Sequence, residues 1–152
     1  MFIYVGAART CLRALYDIAV GLLAKRDYAS GEMRRHLSKQ GDNELVEMVM
    51  ERLLSHHYLD DARLAEREIS KQLIKLHGMS RIKQELRQKG LDSLVIDQAL
   101  EDTDVDWFEL CLKAKEKKFG DNVASDHAEK AKMVRYLQYR GHSMSAILEC
   151  TS

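Results

Sequence analysis

The chain has 152 residues, 45% of them hydrophobic and 32% charged, which suits one ordinary domain or several small packed units and excludes a disordered chain. It contains no proline, so an almost wholly helical chain with short connections is expected. Its 24 basic and 24 acidic residues cancel as opposed blocks: net +4 over residues 1–41, −5 over 42–70, +5 over 71–90, −7 over 91–109 and +3 over 110–118, which makes local fields without a strong overall one.

In chain order, the opening apolar run, MFIYVGAA, is too short to span a bilayer and has no basic region before it, so a cytoplasmic protein with a flexible lead over residues 1–10 is expected. Residues 11–25 follow as an amphipathic segment. The stretch GEMRRHLSKQG then ends at Gly41, with Met33 and Leu37 eight and four residues before it. Apolar residues at i and i+4 put one stripe on a helix, and a glycine after the last turn takes the left-handed conformation that closes it. The pattern comes twice more. GMSRIKQELRQKG ends at Gly90 with Ile82 and Leu86, and AKMVRYLQYRG ends at Gly141 with Met133 and Leu137. Ser30, Ser80 and Ser125 stand where an N-cap could begin these helices. After each glycine comes a second apolar set: Leu45, Val46 and Val49; Val95, Ile96 and Ala99; Ile147 and Leu148.

Two further long amphipathic segments lie between these hairpins. One spans 60–76, with Leu64, Ile69, Leu73 and Leu76, and one spans 106–119, with Trp107, Leu110, Cys111 and Ala114. The reading is an all-α chain with no sheet: an elongated, right- or left-curved array of three tandem three-helix repeats, about nine helices in all. The repeats are placed at 11–57, 58–103 and 104–152, after the lead at 1–10. A three-helix unit buries little surface alone, so neighbouring units are expected to share cores.

Residues 78–100 read as helix, tight turn and helix, the outline of a DNA-reading motif. The second helix would lie in a groove lined by phosphates. Here it carries Asp92, Asp97, Glu101 and Asp102 with no lysine or arginine, so it is a packing helix. Asp102, Asp104 and Asp106 resemble the start of an EF-hand loop, but the sixth and twelfth positions are Trp107 and Lys113 instead of glycine and glutamate. These acids are expected to cap the helix bearing Trp107. Cys11, Cys111 and Cys150 are far apart and form no CxxC pair, so buried free thiols are expected. His56 and His57 are adjacent and point different ways on a helix, which suits packing or surface roles. No P-loop, nucleophile elbow, dinucleotide fingerprint or metal set occurs, so no enzyme, cofactor or metal is expected.

The basic residues sit on the other helices. Arg67, Lys71 and Lys75 are spaced i, i+4, i+8; Lys83 and Arg87 share a face, as do Lys113 and Lys117. Like charges at i, i+4 destabilise a helix by roughly 0.2–0.5 kcal/mol per pair, and a polyanion or an acidic partner surface would compensate. With Arg81 and Lys89 they form the candidate partner- or DNA-binding set. Tyr136 and Tyr139 lie near one stripe, but aromatic residues are few, so only weak, sequence-independent nucleic-acid affinity is expected.

LLAKRDYASGEMRRHLSKQG (22–41), YLDDARLAE (58–66), GMSRIKQELRQKGLD (78–92), IDQAL (96–100), DWFELCLKAKEKKFG (106–120) and RYLQYRGHSMSAI (135–147) together resemble the RecX family of bacterial regulatory proteins. The likeness covers roughly residues 12–148 in the expected order. It implies a non-catalytic regulator that binds in the groove of the RecA–single-stranded DNA filament. It also implies inhibition of RecA's ATP hydrolysis, strand exchange and coprotease activity towards the SOS repressor, and so a tuning of recombination and the SOS response. The partners implied are the RecA filament and, weakly, DNA; no membrane contact and a monomer are expected. The alternative is a stand-alone, sequence-independent nucleic-acid-binding helical protein. In YLDDARLAE, Tyr58 and Leu59 read as core anchors, and Asp60 or Asp61 as the N-cap of the following helix. His142 stands where the family usually has an aromatic residue, which should leave the last helix more weakly anchored.

Overall fold

The structure, a computed structural model, describes residues 2–152, with side chains from residue 12 onward. Among the described residues there are nine α-helices and no strand. They are α1 (Phe2–Lys25), α2 (Ser30–Ser38), α3 (Asn43–Ser55), α4 (Asp61–Ile74), α5 (Met79–Gln88), α6 (Ser93–Thr103), α7 (Trp107–Phe119), α8 (His127–Tyr139) and α9 (Met144–Thr151). The all-α reading therefore holds. The first helix is longer than its predicted segment and takes in most of the expected lead, whose sequence holds no proline to stop it.

The striped positions before each glycine are all buried: Met33 and Leu37 on α2, Ile82 and Leu86 on α5, Met133 and Leu137 on α8. Burying a side chain of this size is worth roughly 1.5–3 kcal/mol, which is why these short helices hold. Of the second apolar sets, Val46, Val49, Ile96, Ala99 and Ile147 are buried. Leu148 is instead 46% exposed, and α9 packs through Ala146, Ile147 and Cys150, the i, i+1, i+4 face.

The chain packs into two compact units. One is Met1–Leu64 with Lys89–Asp92, and the other is Ala65–Gln88 with Ser93–Ser152. In the first, α1, α2 and α3 pack on one another around Leu15, Met33, Leu37, Val46, Met50 and Leu53. In the second, α7, α8 and α9 pack around Cys111, Ala114, Leu137 and Ile147, and α5 packs on α6. The turn at Lys89–Asp92 belongs to the first unit because the Gly90 carbonyl accepts a hydrogen bond from the Gly31 amide, at 3.1 Å.

The predicted caps need correction. Gly90 and Gly141 have φ of +100° and +92°, but Gly41 is not left-handed. At the end of α2 the amides of Gln40 and Gly41 both donate to the Leu37 carbonyl, which needs no positive φ. After α8, Gly141 donates to Gln138 and His142 to Leu137, the paired bonds that close a helix around a left-handed residue. The same closure ends α3 and α4, with His57 (φ 59°) and Leu76 (φ 61°) in the glycine position.

None of the three serines is an N-cap. Ala29 occupies that position on α2 and has no side chain to cap with, so the Asp61 carboxylate accepts from the Ser30 amide instead, at 2.9 Å. Ser80 lies inside α5, and its amide donates to the Gly141 carbonyl at 3.2 Å, while Gly78 donates to Arg140 at 2.8 Å. On α8 the cap is Asp126, one residue beyond Ser125; Ser125 binds Glu129 through its amide and hydroxyl. Asp60 caps α4 by accepting from the Arg63 amide at 3.2 Å, leaving Asp61 for α2. Asp106 caps α7, as its place before Trp107 suggested.

Glycine is required where helix starts meet these turns. A Cβ on Gly31 would overlap the Gly90 carbonyl oxygen, and a Cβ on Gly78 would overlap the Gly141 carbonyl group. Each unit thus holds a glycine–glycine contact, in which the start of one helix donates backbone hydrogen bonds to carbonyls of the turn after another.

Candidate functional site

Of the nine predicted contact residues, Arg67, Lys71, Lys75, Arg87, Lys113 and Lys117 are exposed and Arg81, Lys83 and Lys89 are half-buried. Several are engaged by carboxylates. Lys71 Nζ lies 3.4 Å from Glu68, Lys83 Nζ 3.3 Å from Asp97, and Arg81 Nε 3.5 Å from Glu85. The Lys83–Asp97 pair ties α5 to the acidic face of α6, which also exposes Glu101 and Asp102. That face is a packing helix's solvent side, consistent with its lack of basic residues. Exposed pairs of this kind contribute about 0–1 kcal/mol each, the same order as the repulsion within the stripes.

Two of the nine converge. Lys75 directly follows α4 and Arg81 stands in the first turn of α5, and between them His77 is buried. Burial pushes the His77 imidazole down to about 4, helped by the positive charges of Arg140, Arg81 and Lys75. Arg140, the cap of α8, donates from Nη2 to the Lys75 carbonyl, and its Nε is buried without an acceptor. Arg81 donates from Nη1 to the Tyr139 carbonyl at 3.4 Å, and its guanidinium carbon sits 5.1 Å from the centre of the Tyr139 ring. Arg81 therefore lies against an exposed tyrosine, and Arg140 and Lys75 carry charges that act with it on the same His77. Arg140 was absent from the predicted set, and Tyr139 was read only as an aromatic residue near a basic stripe. The signal for Arg140 was the glycine alignment, which puts it in the register of Lys89, the residue before Gly90. Lys113 and Lys117 lie on α7 and are not among the charges that act on His77.

The remaining candidate groups are structural. Cys111 and Cys150 are buried with their sulfurs 3.4 Å apart, and burial pushes the Cys111 thiol up to about 12, so it stays protonated. The Cys11 side chain lies outside the described residues. Tyr58, read as a core anchor, is 53% exposed and stacks on His56, whereas Leu59 is buried. His142 anchors the last helix: it is buried, and its Nε2 donates to the Leu76 carbonyl at 3.0 Å, which an aromatic ring without a donor could not do. Among the described residues no group of three or more histidine, cysteine or acidic side chains could hold a metal, and no helix is long and apolar enough to cross a membrane.

Two family profiles match the chain. Residues 60–100 match "RecX, second three-helix domain" and residues 104–151 match "RecX, third three-helix domain". A protein named "Regulatory protein RecX" from Vibrio campbellii is 42% identical over 132 residues, 86% of this chain and 85% of its own. The chain belongs to the RecX family. Other RecX relatives named as regulatory proteins include one from Acinetobacter baylyi, 39% identical over 89% of this chain and 84% of its own. One from Cronobacter sakazakii is 39% identical over 91% of both. Two solved RecX structures share the fold. One, from Lactobacillus salivarius, has a TM-score of 0.79 at 19% identity, covering 93% of this chain and 95% of its own. The other has a TM-score of 0.80 at 22% identity, covering 97% of this chain and 75% of its own.

Proposed function

We propose that this protein is a non-catalytic cytoplasmic regulator that acts as a monomer on the RecA–single-stranded DNA filament. In this reading it inhibits the filament's ATP hydrolysis, strand exchange and coprotease activity, and so tunes recombination and the SOS response. The observation that carries the reading is the RecX likeness, which spans 86–91% of the chain at about 40% identity to proteins named as regulators. The three-helix repeats and the basic faces of α4, α5 and α7 support it as a binding protein. Arg67, Lys71, Lys75, Arg81, Lys83, Arg87, Lys89, Lys113 and Lys117 are its contact candidates.

ATP hydrolysis by RecA on single-stranded DNA, followed while this protein is added, tests the reading. Inhibition at substoichiometric to equimolar amounts is expected, and its absence removes the proposal. Replacing Lys71, Lys75, Lys83 and Arg87 by Glu should preserve helical content, read by circular dichroism, and weaken the inhibition. Unchanged inhibition discards that surface.

A second reading, stand-alone nucleic-acid binding, is favoured by the exposed Tyr139 beside Arg81. A titration on DNA alone separates the two, because phosphate-driven binding must weaken steeply with salt.

A further inference from the structure

The ends of α4 and α8 and the start of α5 build a surface that charge striping alone does not describe. Arg140 reaches the Lys75 carbonyl, Arg81 reaches the Tyr139 carbonyl, and the Arg81 guanidinium lies against the Tyr139 ring. Arg135 is exposed one turn earlier on α8. Lys75 and Arg135 are exposed, Arg81 and Arg140 are half-buried, and Arg81 is paired with the Glu85 carboxylate. The Tyr139 ring is 75% exposed, although burying it would be favourable. A nucleic-acid strand uses both: phosphates meet the guanidinium and ammonium groups, and a base stacks on the ring, reinforced by the arginine beside it. A duplex hides its base faces in its own stack, so a stacking ring selects a single strand.

We propose that Tyr139, Arg81, Lys75 and Arg140 form a contact for single-stranded nucleic acid, with Tyr139 stacked on a base and the three cations on flanking phosphates. The inference deepens the filament reading, on which it rests, by naming where the strand would touch this chain, and its binding arm is run without RecA.

The probe is a fluorescently labelled oligo-dT of roughly thirty nucleotides, with a duplex of the same length beside it, read by anisotropy on the full chain. The wild type should prefer the single strand. Tyr139→Ala should weaken oligo-dT binding about tenfold, the equivalent of one lost stack, with little effect on the duplex. Tyr139→Phe, which keeps the ring, should stay within about twofold of wild type. Replacing Lys75 and Arg81 by Gln should weaken both ligands and flatten the log–log salt slope by about 1.4, for two phosphates on a single strand. Circular dichroism confirms the fold of each variant. Tyr139→Ala binding oligo-dT as tightly as wild type overturns the proposal, as does displacement of oligo-dT by polyglutamate as effective as by unlabelled oligo-dT. RecA ATP hydrolysis separates the two proposals. Full inhibition alongside undiminished oligo-dT binding by Tyr139→Ala refutes this contact alone. Loss of oligo-dT binding in that variant, with no inhibition by wild type, refutes the filament reading alone.

Discussion

Replacing Gly78 by Ala inserts one methyl group where the backbone of Gly141 and His142 leaves no room. The atoms it would meet are the Gly141 carbonyl carbon and oxygen and the His142 nitrogen, none of which can swing away as a side chain could. The turn must therefore separate from the start of α5. That breaks the hydrogen bonds from Gly78 to Arg140 and from Ser80 to Gly141, at 2.8 and 3.2 Å. Each such bond is worth roughly 0.5–1.5 kcal/mol net, and an amide left buried without an acceptor costs about 1–3 kcal/mol more. Two bonds and one orphaned donor give about 3 kcal/mol. For a chain of this size each kcal/mol moves Tm by roughly 2–4 °C, so the expected loss is about 6–12 °C. The assay is thermal unfolding by circular dichroism, with Gly21→Ala as control. Gly21 lies within α1 with nothing within 4 Å of its added Cβ, so that change should stabilise by about 0.5–1 kcal/mol. If Gly78→Ala melts within about 1 °C of wild type, the turn yields freely and the close glycine contact does not hold the second unit together.

Three other perturbations follow from the same geometry. Leu86 is 1% exposed, so Leu86→Ala should cost roughly 2–5 kcal/mol in a urea titration. Asp61→Ala removes the acceptor of the Ser30 amide and should cost about 1 kcal/mol, read in the same titration, although residue 61 is 31 positions from the helix it caps. His77 is held neutral in the fold at about 4, below its ordinary value of 6.5. The stability this provides is complete above 6.5 and is lost as pH falls towards 4, so about 2 kcal/mol should vanish between pH 7.5 and 5. His77→Gln should flatten that dependence, and a wild-type urea midpoint unchanged over this range would contradict the burial.

The local patterns were legible without coordinates. Helix positions, the buried stripe residues Met33, Leu37, Ile82, Leu86, Met133 and Leu137, and the threefold recurrence all follow from spacing within one or two turns. The caps of α2 and α5 were not, because the acceptors of their first amides are Asp61, Gly90, Arg140 and Gly141, residues far along the chain. Gly41 escaped for a related reason: a glycine permits a left-handed turn but does not demand one. The site divides in the same way. The sequence by itself determined which helix faces are basic and that the second helix of the hairpin at 78–100 is acidic, because side-chain direction along a helix is a local property. Only the tertiary structure decided that Arg81 reaches Tyr139 and Arg140 reaches the Lys75 carbonyl, since those contacts join residues 58 and 65 positions apart through packing that no local pattern records.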